Sequence, residues 1–213
     1  MSANPLALQV SDHVDHDEAG GHGFEEGISN VILGMILFIC SEVMFFAGLF
    51  AAYFNVRANA PIWPPEGNEH FHVANEIALP LIITTLLIIS SFTCQLGVWS
   101  IRKGDRQGLI RNIAVTLVLG VIFLIGQGYD YTQLGFTLAD GTFGTTFFTL
   151  TGFHGAHVLG GVIMLSVVLY RSMAGQFSSR HHDMVEAVSL YWHFVDVVWI
   201  VLFSLLYLVP TGH

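Results

Sequence analysis

The sequence predicts an all-α polytopic membrane protein, a bundle of five transmembrane helices, and three observations carry that prediction. Hydrophobic residues make up 53% of the 213 residues and charged ones only 11%, where soluble domains carry roughly 25% charged residues. The apolar residues gather into five blocks of about 20 or more, enough to cross a hydrocarbon layer roughly 30 Å thick. None of the blocks alternates apolar and polar residues as a membrane barrel strand does. With no water in the lipid, each block must close its own backbone hydrogen bonds, and a helix does so.

The blocks fall at about 28–56, 76–101, 110–134, 144–171 and 185–209. The first contains "GMILFICSEVMFF", the second "IALPLIITTLLIISSFTCQLGVW", the third "IAVTLVLGVIFLIGQG" and the last "VSLYWHFVDVVWIVLFSLLYLV". Residues 1–27 precede them as an acidic, mobile N-terminal arm, and residues 28–213 form the five-helix transmembrane domain. The arm "SDHVDHDEAGGHGFEE" carries acids but no basic residue and no apolar core, so it does not read as a signal peptide. Its polar composition fits a segment that stays mobile or is ordered by a partner. His13, His16 and His22 within it match no metal-ligand spacing. Cys40 and Cys94 lie inside predicted spans without a CxxC and read as small apolar fillers.

Orientation follows from the basic residues. Arg102, Lys103, Arg106 and Arg111 cluster between the second and third spans, and Arg171 and Arg180 between the fourth and fifth. Arg57 alone falls on the other side. Positive loops stay in the cytoplasm, which places the N-terminus inside and the C-terminus outside. The net charge of −9 does not oppose this, because acids weigh little in that rule. The loop "APIWPPEGNEHFH" combines Trp63, Pro64 and Pro65 and reads as a rigid outer loop. Asp130, between Tyr129 and Tyr131, falls at an aromatic belt position near the outer surface.

Glu42 raises the chemical question. A carboxylate at mid-bilayer costs about 2.5–3.5 kcal/mol on insertion scales, so the cheaper state is a protonated acid with a hydrogen-bond partner. At 1.5 Å per residue, His154 and His157 on the fourth span reach the same depth, as do His193 and Asp196 on the fifth. Each of these pairs is spaced i, i+3 and shares one helix face. Together they form an expected interhelical polar layer. Three readings stay open: a proton-exchanging or ligand-binding site, a metal site built from three His and two acids, or hydrogen bonds that fix helix packing. In "TGFHGAHVLGG", Gly152, Ala156 and Gly160 recur at intervals of four, so a helix of the bundle or of a partner subunit can approach closely. Trp192 and Trp199 flank the layer as core packing. Arg180, His181 and His182 on the inner side form a candidate site for a lipid phosphate or a solvated loop.

No nucleotide-binding glycine loop, nucleophile elbow or CxxCH haem attachment is present. Five helices with one polar layer leave a transporter or an accessory subunit of a membrane complex.

"GMILFICSEVMFFAGLFAAYF", "WPP", "FTLADGTFGTTFFTLTGFHGAHV" and "SSRHHDMVEAVSLYWHFVDVVW" resemble, in the same order, subunit III of the haem–copper terminal oxidases, in a five-helix bacterial-type form. The resemblance implies a non-catalytic subunit of a respiratory cytochrome c oxidase. Such a subunit packs on subunit I, supports sustained turnover and proton uptake, and binds phospholipid. Haem and copper would sit in partner subunits I and II, cytochrome c would be the substrate of the complex, and this chain would hold no metal. The alternatives are subunit III of a quinol oxidase and a stand-alone proton or metal transporter. The resemblance also implies that Glu42 is the family's carbodiimide-reactive membrane acid, bridged by His154. It extends the lipid contacts of the "RHH" region to Trp192 and His193. Many members have seven helices, and this chain matches from the third, which puts the lipid-holding cleft between the first two helices and the rest in doubt. A bacterial inner (plasma) membrane is the implied location.

Overall fold

The computed structural model describes residues 29–60, 77–139 and 141–208. The acidic arm with His13, His16 and His22, the boundary at residue 27, and the "WPP" loop lie outside the described residues. Those residues form five long helices, each apolar and long enough to cross a membrane. They are α1 (Asn30–Asn59), α2 (Ala78–Arg102), α3 (Arg106–Gln133), α4 (Gly141–Met173) and α5 (Asp183–Phe203), which runs on into a π-type turn, Ser204–Leu208. The spans match the apolar blocks, with ends moved by capping chemistry that hydropathy does not register. α3, for example, begins at Arg106 rather than near residue 110, because Asp105 caps it by accepting the Gly108 N–H at 2.9 Å.

The α2–α3 connection is short for a related reason. Gly104 adopts φ +78°, a left-handed conformation that glycine enters without strain, and turns the chain directly from one helix into the next. At the same end of the bundle the last turn of α4 is closed from outside. Arg106 donates through Nε to Ser172 O at 2.8 Å and through Nη2 to Met173 O, satisfying carbonyls that have no partner within their own helix. Gly175, at φ +76°, passes against that guanidinium.

α5 is the centre of the bundle and packs on α1, α2 and α4. Its core is aromatic. Trp192 is fully enclosed between Gly120 of α3 and Gly161 of α4, where an added Cβ would come within 2.7 Å of the indole. The close helix approach thus uses Gly120 and Gly161. Gly152 and Ala156 face outward, and only Gly160 of the expected stripe meets a neighbour, the Tyr191 hydroxyl. Each buried indole N–H finds a hydroxyl on α2: Trp192 Nε1 donates to Ser90 Oγ at 2.9 Å and Trp199 Nε1 to Thr84 Oγ1 at 2.8 Å. Asp130, three residues from the end of α3, turns into the bundle, where it is buried and accepts from Tyr207 Oη at 3.2 Å.

α1 is attached differently. Its sequence is apolar on every face, and it fully buries only Phe46 and Tyr53. It rests on α5 and α4 and shares little contact with α2. Lipid is as apolar as leucine, so hydrophobicity does not hold one membrane helix to another; packing and hydrogen bonds do. That makes the polar ties of α1 important, among them Glu42 and Tyr53 Oη, which donates to Leu205 O at 3.2 Å.

Candidate functional site

Glu42 points from α1 into α4. Its Oε2 lies 2.8 Å from Nε2 of His157. The imidazole is held from its other side, where Nδ1 is 2.7 Å from the carbonyl oxygen of Phe153 one turn back. A carbonyl only accepts, so Nδ1 carries a proton. Nε2 then either accepts from a protonated carboxyl or, as imidazolium, donates to a carboxylate. Both arrangements place one proton between the two atoms and leave the pair neutral overall. A carboxylate facing a bare Nε2 would set two lone pairs against each other. Neutrality without solvent is what a group at this depth requires.

The surroundings shield the bond. Phe46 lies 4.9 Å from the His157 ring and Phe45 stacks on it at 6.1 Å. Tyr191 Oη on α5 donates to His157 O at 3.1 Å, so α5 fixes the backbone that presents the ring. Side-chain exposure is 19% for Glu42 and 15% for His157, so the pair sits at a helix seam rather than in the deep core.

The family resemblance assigned the bridge to His154, and the geometry assigns it to His157. His154 is wholly buried elsewhere. Its ring stacks on Trp199 at 4.8 Å, meets the edge of Phe123 at 5.9 Å, and neither ring nitrogen has a hydrogen-bond partner. The cause is helical phase. Residues 154 and 157 are one turn apart but about 60° off one another (three steps of about 100°), enough to aim one at α3 and α5 and the other at α1.

The single polar layer also resolves into separate places. His193 turns to α2, with Nδ1 2.6 Å from Ser91 Oγ and Nε2 3.1 Å from Gln95 Oε1. Asp196, 4% exposed, lines the same α2–α5 cleft, and neither carboxyl oxygen has a hydrogen-bond partner. The shared depth thus does not gather three His and two acids around one point. Among the described residues no group of three or more His, Cys, Asp or Glu stands at metal-binding geometry.

At the basic end, His182 Nε2 lies 3.0 Å from Glu186 Oε1, and Arg102 donates to the same oxygen at 2.8 Å. Arg180 and His181 remain exposed beside them. Trp192 is corrected as a lipid contact: it is enclosed in the core and inaccessible to lipid. Sequence reasoning missed Arg102, Glu186, Ser91, Gln95 and the Arg106 clamp. The one available signal was their recurrence as polar residues within or bordering apolar spans.

The comparisons with known proteins converge. The family model described as cytochrome c oxidase subunit III matches residues 11–210. A probable cytochrome c oxidase subunit 3 of Nocardia farcinica is 45% identical over 84% of this chain and 88% of its own. Cytochrome c oxidase subunit 3 of Synechocystis is 41% identical over 98% of this chain and 87% of its own. That of Sus scrofa is 42% identical over 82% of this chain and 67% of its own. The chain belongs to the cytochrome c oxidase subunit III family, the non-catalytic subunit of a proton-pumping oxidoreductase complex.

Proposed function

We propose that Glu42 and His157 act as a one-proton latch that docks α1 on α4 and α5, and that this latch keeps the subunit competent within the oxidase. The observation that carries the reading is the 2.8 Å contact between Glu42 Oε2 and His157 Nε2, on a helix that buries few of its side chains. The chain packs on subunit I and supports sustained turnover and proton uptake there. Haem and copper reside in subunits I and II, and cytochrome c supplies the electrons. The relatives' names and the match along nearly the whole chain support this placement.

Phospholipid binds at the basic end of the bundle. Arg180 and His181 are exposed there, and Arg102 and His182 converge on Glu186 beside them. Six of the seven basic residues fall on that side, which supports a multi-pass protein of a bacterial inner membrane with the N-terminus and the basic loops in the cytoplasm.

The test uses oxidase purified with Glu42→Gln or Glu42→Leu. The amide of Gln still hydrogen-bonds to His157, so this enzyme retains the subunit and its turnover lifetime. The Leu enzyme loses the subunit more readily or inactivates sooner during turnover. Wild-type retention and lifetime in Glu42→Leu overturns the latch.

A further inference from the structure

A second acid in the membrane takes no part in the latch. Asp196 stands midway along Asp183–Leu208, opposite Ser91 midway along α2, in a cleft of about 340 Å³ between the two helices. The rim is apolar: Ile88, Phe92, Val197 and Ile200. The polar groups at its back are already occupied with one another. His193 Nδ1 lies 2.6 Å from Ser91 Oγ, and its Nε2 lies 3.1 Å from Gln95 Oε1 and 3.3 Å from Ser189 Oγ. Ser91, across the cleft from Asp196, has a single proton and can serve at most one of the two carboxyl oxygens. Ionised, the acid has at most that one donor for its two oxygens. Protonated, it can donate to Ser91 but still lacks a donor for its carbonyl oxygen. In either state the site is short of at least one donor, and a buried polar atom left unsatisfied is destabilising.

The geometry points to a transmembrane helix of another oxidase subunit lying over the α2–α5 cleft and inserting a hydrogen-bond-donating side chain (hydroxyl, amide or cation) onto Asp196. The cleft's depth selects this occupant. Asp196 lies thirteen helical steps from Asp183, about 20 Å at 1.5 Å per residue, beyond reach of phospholipid headgroups. Acyl chains, which do reach it, carry no donor. A membrane-spanning partner can present one at any depth, and the cleft holds a side chain rather than a helix.

The adjoining surface fits the same occupant. A smaller cleft of about 130 Å³, reaching Ile32 of α1, shares Gln95 and His193 with the first, so the groove runs on between α1 and α2. Those two helices share little contact with each other. Phe92, 68% exposed, stands on the rim. The inference rests on membership in an oxidase complex and does not use Glu42 or His157.

The test is photo-crosslinking in intact purified oxidase with benzoylphenylalanine in place of Phe92 and Glu42 and His157 unchanged. The expected product joins this chain to one membrane-spanning segment of another subunit, with a donor side chain within a turn of the crosslinked residue. Asp196→Leu lowers the yield severalfold, and Asp196→Asn retains most of it. Should Asp196→Leu block assembly, replacing the partner's donor with Leu makes the same reading. Crosslinks to lipid or detergent only, or to a second copy of this chain, overturn the proposal. So does a yield indifferent to both the acid and the donor. The latch survives each of those results.

Discussion

Replacing Glu42 by Leu removes the hydrogen bond to His157 while keeping α1 apolar, so it isolates the energy of the latch. Interhelical hydrogen bonds in membranes are worth about 0.6 kcal/mol on average and up to about 1.7. The Glu42–His157 bond sits at the upper part of that range for three structural reasons: it is 2.8 Å long, flanked by Phe45 and Phe46, and its imidazole is pre-oriented by Phe153 O. A value of about 1.4 kcal/mol corresponds to a tenfold change in the docking equilibrium of α1. His157→Leu costs more than Glu42→Leu, because it strands a carboxyl where water is scarce.

The clean measure is a double-mutant cycle of Glu42→Leu and His157→Leu in the purified chain. The chain is unfolded by SDS titration in mixed micelles and followed by tryptophan fluorescence. Trp192 and Trp199 lie on α5, against which α1 packs, and report its loss. A coupling energy of about 1–1.5 kcal/mol is expected. A coupling indistinguishable from zero refutes the reasoning.

His154→Phe is neutral or stabilising in the same titration, because it removes two ring nitrogens without partners from a site lined by Trp199 and Phe123. That it behaves opposite to His157→Leu separates the two histidines. Gly161→Val forces branched carbons into Trp192 and costs about 1–3 kcal/mol, read as a lower SDS midpoint. Arg106→Ala releases the carbonyls of Ser172 and Met173, and amide hydrogen exchange in the last turn of α4 rises. Glu186→Gln changes stability by less than about 1 kcal/mol, because Arg102 is half exposed to screening.

Span number and placement were legible because the bilayer imposes one length on every helix, and the apolar blocks record it. The ends were less so: α3 starts where Asp105 caps it, a local feature that hydropathy averages away. Depth was legible too, since 1.5 Å per residue puts Glu42 and His157 at one level without knowing the bundle. Azimuth was not. Choosing between His154 and His157 requires the rotation of α4, which is set by Trp192 lodging against Gly161. Counting residues from a helix end cannot provide that. For the same reason His193 and Asp196 shared the layer's depth yet turned to Ser91 and Gln95 on α2. The exposed apolar surface of α1 follows from a sequence without a polar face, so nothing in it marked which side meets the bundle except Glu42 itself.

The most direct test is a density map of the assembled oxidase sharp enough to place the Glu42 side chain. The carboxyl is expected within hydrogen-bonding distance of His157 Nε2, with Nδ1 on the Phe153 carbonyl and His154 against Trp199. A carboxyl swung away to another subunit, to water or to His154, with His157 left alone, contradicts the latch.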